Sequence, residues 1–277
     1  MNTILHTEVL LSEKEAVLNS YRLYDADWKD KYGLVLLVKR KQKIFILWDG
    51  SSSEIPVNMS YPTVRWVDKE RILLIDTRND ADRQNAFILK KDGSIYSSFN
   101  VGDGIADAVI GAEGIWISYF DEGIFKEEGP STEGLVLFDF EGNSVFSYHS
   151  DLPEAPFISD CYGLVKGKGA AIWLFPYTEF PLVQVDAGNF TSYEVPEGLH
   201  SSTAISVRGN IAYFVKGAGS EEVLYRWEIG NTQIQSIGKG QGQLRGLGPQ
   251  ESGQFLSVCH SKNEVLLYTI PDEQNYQ

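Results

Sequence analysis

A chain of 277 residues, 43% hydrophobic and 12% aromatic, can bury a sizeable core, and all-β rings commonly reach this length as one domain. A formal net charge of −14 works against nucleic acid and anionic membrane as partners, and no apolar run approaches the roughly 18 residues of a spanning helix. The N-terminus, MNTILHTEVLLSEKEAV, has no basic start, long apolar centre or small-residue cleavage site, so a cytoplasmic location and no membrane association are expected.

In chain order, Thr3 to Leu11 reads as a lone strand. A first unit follows over about 15–60, with its second strand at 34–38 (LVLLV). The alternating acids of Asp25-Ala26-Asp27-Trp28-Lys29-Asp30 fall short of a calcium loop, lacking the central Gly and closing Glu, and read as a solvated turn. The second unit, about 61–101, contains RILLI at 71–75 and a mixed-charge loop from Asp76 to Arg83 that reads as solvated and self-paired.

The third unit, about 102–150, is the clearest. Ala106–Ile110, Ile115–Phe120, Leu135–Phe140 and Ser144–Tyr148 are short runs rich in β-branched and aromatic residues, with Gly or Asp/Asn between them. Glu141-Gly142-Asn143 supplies a tight turn between the third and fourth runs. From Asp103 to Asp160 there are 13 acidic residues against one basic, Lys126, so nearly all of the net charge lies in one sector. The fourth unit, about 151–198, opens on the Pro-containing connection DLPEAPFISDCY and has IWLF at 172–175. The fifth, about 199–241, has IAYFV at 211–215. The sixth, about 242–272, has FLSV at 255–258, and the glycines at 238–242 before it lack the register of a phosphate loop.

The turn before each fourth strand recurs at Gly50, Gly93, Gly142, Gly188, Gly230 and Asp272, at spacings of 43, 49, 46, 42 and 42 residues. The fifth and sixth residues before each marker are apolar in every copy. A period of 40–50 residues with four short strands is the pattern of a β-propeller. The expected fold is therefore all-β: a six-bladed propeller of four-stranded antiparallel blades, with residues 3–11 completing the last blade and closing the ring. A monomer is expected, and Cys161 and Cys259, in different units, read as reduced structural cysteines.

In such a ring the loops entering the innermost strands share a face with the loops between second and third strands. This projection puts Arg65, Trp66, Asp103, Asp107, Tyr162, His200 and Arg245 near the channel mouth as candidate ligand-binding residues. Carboxylates at Asp103, Asp107, Asp121 and Asp160 form an alternative metal set, suited to a hard cation such as Ca²⁺. Trp116 and Trp173 occupy equivalent second-strand positions and read as packing. Catalytic signatures are sparse: the four histidines show no paired metal-ligand spacing, and there is no G-x-S-x-G. The expectation is a non-catalytic module, without cofactor, for a small molecule or a protein, with docking of a basic partner on the acidic sector as a further alternative. The competing expectation is a Ca²⁺-dependent hydrolase.

The stretch 102–143, GDGI…D…IWISYFDEGIF…GLVLFD..GN, resembles the propeller repeats of bacterial sensor regulators and, more loosely, NHL repeats; the other five units share only its strand pattern and turn. That resemblance implies a propeller in a bacterial protein and no particular activity. Six-bladed propellers also include the calcium-dependent lactonases, whose site resembles Glu, Asn and Asp around a channel with a Glu-Gly-Pro near the first blade. Here the tripeptide is Glu128-Gly129-Pro130, in the third unit.

Overall fold

The computed structural model describes residues 5–12, 20–79, 83–218 and 221–271. The expected strand start at Thr3-Ile4, the loop tip 80–82 and the last marker at Asp272 lie outside the described residues.

Strand β1 (His6–Leu11) precedes the first blade, which is β2 (Arg22–Lys29), β3 (Gly33–Arg40), β4 (Lys43–Trp48) and β5 (Ser51–Glu54). Blade 2 is β6 (Pro62–Trp66), β7 (Arg71–Asp76), β8 (Ala86–Lys90) and β9 (Ile95–Phe99). Blade 3 is β10 (Ile105–Ile110), β11 (Ile115–Tyr119), β12 (Leu135–Phe138) and β13 (Ser144–Ser147), with helical turns α1 (Asp121–Ile124) and α2 (Tyr148–Asp151) and a 3₁₀ turn at Pro130–Glu133. Blade 4 is β14 (Asp160–Lys166), β15 (Ile172–Tyr177), β16 (Leu182–Asp186) and β17 (Asn189–Tyr193). Blade 5 is β18 (Ala204–Arg208), β19 (Ile211–Ala218), β20 (Glu221–Glu228) and β21 (Ile234–Gly240). Blade 6 joins β22 (Gln243–Gly246), β23 (Gln254–Cys259) and β24 (Glu264–Thr269) to β1. The six four-stranded antiparallel sheets make an all-β six-bladed propeller.

Closure by the N-terminal strand is as expected. Strand β1 runs antiparallel to β24 from His6 opposite Thr269 to Leu11 opposite Val265, with an irregularity between Val9 and Leu11. The pairing gives β24 a partner on its outer edge and so removes an exposed row of backbone donors and acceptors. The marker glycines at 50, 93, 142, 188 and 230 all adopt positive φ, which the tight hairpins require.

Two compact units divide the chain, residues 13–161 and residues 1–12 with 162–277. In the first, blades 1 and 2 share a core in which Trp48 stacks on Trp66 at 5.6 Å, among Val35, Leu37, Ile46 and Leu74. In the second, Phe175, Phe214 and Trp227 are fully buried around Trp173 and Val195. A buried side chain of this size contributes about 1.5–3 kcal/mol. Middle strands such as β11 and β12 are buried along their whole length and read as continuous apolar runs, whereas outermost β5 is largely exposed and polar.

The helical turns of blade 3 were not anticipated. They lie in the connection from β11 to β12 and just after β13, where chain that leaves the sheet satisfies its backbone groups locally. Among the described residues no helix is long and apolar enough to cross a membrane.

Candidate functional site

The innermost strands of blades 1 to 3 are joined by one arginine. Arg65, on β6, is 7% exposed. Its Nη1 donates to Asp25 Oδ2 of β2 at 2.8 Å, its Nη2 to Asp107 Oδ1 of β10 at 2.5 Å, and its Nε to the Ala108 carbonyl at 3.2 Å. Asp25 also accepts the Val64 N–H at 2.9 Å, and Asp27 accepts the Trp66 N–H at 2.8 Å. Residues 25 and 27 sit two apart, so they share one face of β2 and cap alternate amides along β6. Burial alone would lower the Arg65 pKa, but Asp107, Asp25 and Asp27 outweigh it and hold the guanidinium above its ordinary value. The Asp25–Asp30 segment is thus no solvated turn. It is mostly β-strand, and its two inner acids are structural.

A second charged node lies where the β7–β8 loop meets α1. Asp103 is 3% exposed and receives Arg78 Nε at 3.1 Å, the Asn79 N–H at 2.6 Å and Lys126 Nζ at 2.8 Å. Arg78 also reaches Glu122 at 2.5 Å and lies 5.5 Å over the Phe120 ring. Burial would raise the Asp103 pKa, yet these donors hold it at about 2. The node needs its glycines: a Cβ at Gly104, whose φ is +67°, would fall 2.5 Å from the Gly123 nitrogen. The mixed-charge loop is therefore partly buried: Asp76 caps the Ser60 and Tyr61 amides, and Asn79 is 3% exposed.

Beyond that node, α1 and α2 each pack against the 3₁₀ turn. Phe125, just after α1, and Phe157, in the connection to β14, are 67% and 60% exposed. Asp121 and Glu122 of α1, Asp151 of α2, and Glu127, Glu128 and Glu154 of the connections beside them are exposed. Asp160 opens β14; burial, then the nearby Asp121, raises its pKa against a bond from the Cys161 amide. Both cysteines are buried and neither forms a disulfide.

The expected site residues are sorted differently from their projection. Arg65 and Asp107 meet directly. Asp103 belongs to the separate node, and Trp66 is core, with Nε1 donating to the Gly33 carbonyl at 3.0 Å. Tyr162 and His200 come together through Phe180, whose ring lies 5.3 Å from each. Arg245 is half-buried on β22. Of the acids proposed as a metal set, Asp121 and Asp160 lie near one another. Asp103 and Asp107 are held by cationic side chains, and among the described residues no three His, Cys, Asp or Glu side chains could hold an ion. Glu128-Gly129-Pro130 leads into the 3₁₀ turn, with Glu128 exposed. Trp116 and Trp173 are buried, as packing residues should be.

Sequence reasoning passed over Asp25, Asp27, Arg78 and Lys126 as partners, and Phe125 and Phe157 as exposed aromatics. The two-residue spacing of Asp25 and Asp27 was the available signal for the first pair. Nothing local marks Phe125 as exposed, since IFKEE reads equally as the end of a buried run.

No protein-family model matches the chain, and no curated protein matches it. Solved structures do match in fold. A catalytically inactive virginiamycin B lyase from Staphylococcus aureus with Quinupristin gives a TM-score of 0.57 at 12% identity, over 96% of this chain and 100% of that one. YCF48 bound to D1 peptide gives 0.53 at 11%, over 97% of each chain. The β-propeller domain of Cps50 (Swd1) from Myceliophteria thermophila gives 0.52 at 10%, over 90% and 84%. At such identities the likeness defines a class, the β-propellers, and no activity.

Proposed function

We propose that this propeller is a non-catalytic binding module that captures a basic, apolar-anchored protein segment at the helical end of blade 3. The observation that carries the reading is the exposure of Phe125 and Phe157 on that end, amid acids with little cationic compensation. Two large aromatic side chains left in water, rimmed by carboxylates, suit an apolar anchor flanked by Lys or Arg. Charge complementarity of this kind speeds encounter and rejects acidic partners. A solved propeller of similar fold carries a bound peptide, which makes the use of the fold reasonable without fixing its partner.

The test is fluorescence anisotropy with short labelled peptides: Leu or Phe flanked by Lys/Arg, the same charges without the apolar residue, and an acidic counterpart. The first should bind best, with an affinity that falls several-fold between 50 and 300 mM salt, as surface charge is screened. Phe125→Ala with Phe157→Ala should weaken it about tenfold or more, the loss expected of an anchor residue. Binding that ignores both phenylalanines, or prefers the acidic peptide, would overturn the reading.

A further inference from the structure

His149, the second residue of α2, is held at both ring nitrogens. Its Nδ1 lies 2.8 Å from the Thr132 carbonyl oxygen, and its Nε2 lies 3.1 Å from the Ile158 amide nitrogen. A carbonyl only accepts and an amide N–H only donates. The proton therefore sits on Nδ1, Nε2 accepts from Ile158, and the ring is neutral. The same ring stacks on Phe157 at 4.3 Å with planes 8° apart and meets Tyr148 edge-on at 5.7 Å. Gly134 leaves it room, since a Cβ there would fall 3.1 Å from the ring and 2.8 Å from the Ile158 Cβ. One imidazole thus ties the 3₁₀ turn, α2 and the connection that carries Phe157.

We infer that His149 is a positioning residue for the docking surface: neutral, it seats Phe157; protonated, it releases the 157–158 segment and weakens capture of the basic segment. The inference rests on the reading above. Protonation would place a second N–H on Nε2, facing the Ile158 N–H, so donor would meet donor and the bond must break. The ionisable groups on the elements packed around the ring are Glu133 of the 3₁₀ turn and Tyr148, which approach it, with Asp151 of α2 and Glu154 of the connection further along the chain. The Glu133 carboxylate accepts the Ser150 N–H at 2.9 Å and Oγ–H at 2.7 Å, and Asp151 accepts the Ser147 N–H at 2.7 Å. Burial pushes the imidazole pKa down; the Thr132 carbonyl and Glu133 oppose this without cancelling it. The neutral form therefore prevails at neutral pH, and the change falls below the ordinary imidazole range.

The experiment has two arms. In the first, histidine ¹³Cε1 and backbone ¹⁵N resonances of the free protein are followed from about pH 7.5 to 5, with His149→Gln assigning the ring among four histidines. The Ile158 amide should shift with the His149 titration. In the second, affinity for a histidine-free basic peptide is measured over the same range. The wild type should lose at least about threefold in affinity towards pH 5.5, although the peptide's charge is constant. His149→Gln, whose amide can donate to Thr132 and accept from Ile158, should bind at neutral pH and show a flat profile. Asp160→Asn, a control for carboxylate titration, should retain the wild-type fall. An Ile158 amide that ignores His149, or a His149→Gln profile that still falls, would overturn the inference while neutral-pH binding stood. Absence of peptide binding at neutral pH would overturn both readings, whatever the first arm showed.

Discussion

The acidic sector holds two kinds of carboxylate. Asp103 and Asp107, at the inner strands, are buried or nearly so and each grips a cationic side chain. Glu127, Glu128 and Glu154, at the helical end of the same blade, are exposed beside Phe125 and Phe157. The inner acids are structural and are matched within the fold. The outer acids leave a field that a partner would have to match. The same charged group, within one blade, thus serves stability at one depth and, on the proposed reading, recognition at another.

The sharpest way to break this contrast is to remove the cation from the inner group. Arg65→Met leaves Asp25 and Asp107 facing each other in a buried site. It should cost about 3–5 kcal/mol in urea unfolding, the range for breaking a buried pair from one side. A loss under about 1 kcal/mol would mean the group is wetter than it looks.

Asp103→Asn is expected to cost less, about 1–3 kcal/mol at pH 7, because three donors lose a charged acceptor. Its pH dependence follows from the depressed pKa of about 2. The stabilisation is present above the ordinary carboxylate value and is lost as pH falls through about 2. Wild type and Asp103→Asn should therefore converge in acid melts.

Asp160 should behave oppositely. Its folded pKa is raised, so the fold prefers the neutral acid, and that preference becomes a cost as pH rises through the folded value. Asp160→Asn should raise Tm at pH 7 by a degree or two and have no effect once pH drops below the ordinary carboxylate value. A lower Tm at pH 7 would show that the carboxylate accepts a bond its amide cannot replace.

The smallest stability effects belong to the outer surface. Phe125→Ala should change stability by no more than about 0.5 kcal/mol, as for exposed positions generally, while weakening peptide capture. Melts with EDTA or added Ca²⁺ should coincide, because Asp103 and Asp107 already bind cationic side chains. A Ca²⁺-selective rise in Tm that Asp103→Asn abolishes would instead favour the metal-dependent hydrolase.

The propeller was legible in the sequence because its determinants are local and repeated. Hairpin turns need residues such as Gly50, Gly93 and Gly142 at positive φ, and middle strands buried on both faces read as LVLLV or IWISY. Even closure by β1 could be read, since a blade lacking its outer strand and a spare strand at the other terminus leave one economical pairing. The site was far less legible. Asp25 looked like a turn acid, and Asp103 stood open between a channel-mouth, a metal and a structural role, because sequence reports charge but not which cation lies opposite it.

Charge sector, blade count and strand order were thus fixed by patterns within about 45 residues of chain. The pairing of Asp25 with Arg65 and Asp107, the core placement of Trp66 and the exposure of Phe125 were decided only by tertiary structure. Each depends on side chains brought together from different strands and loops, and on how deeply water reaches them, which no single segment encodes.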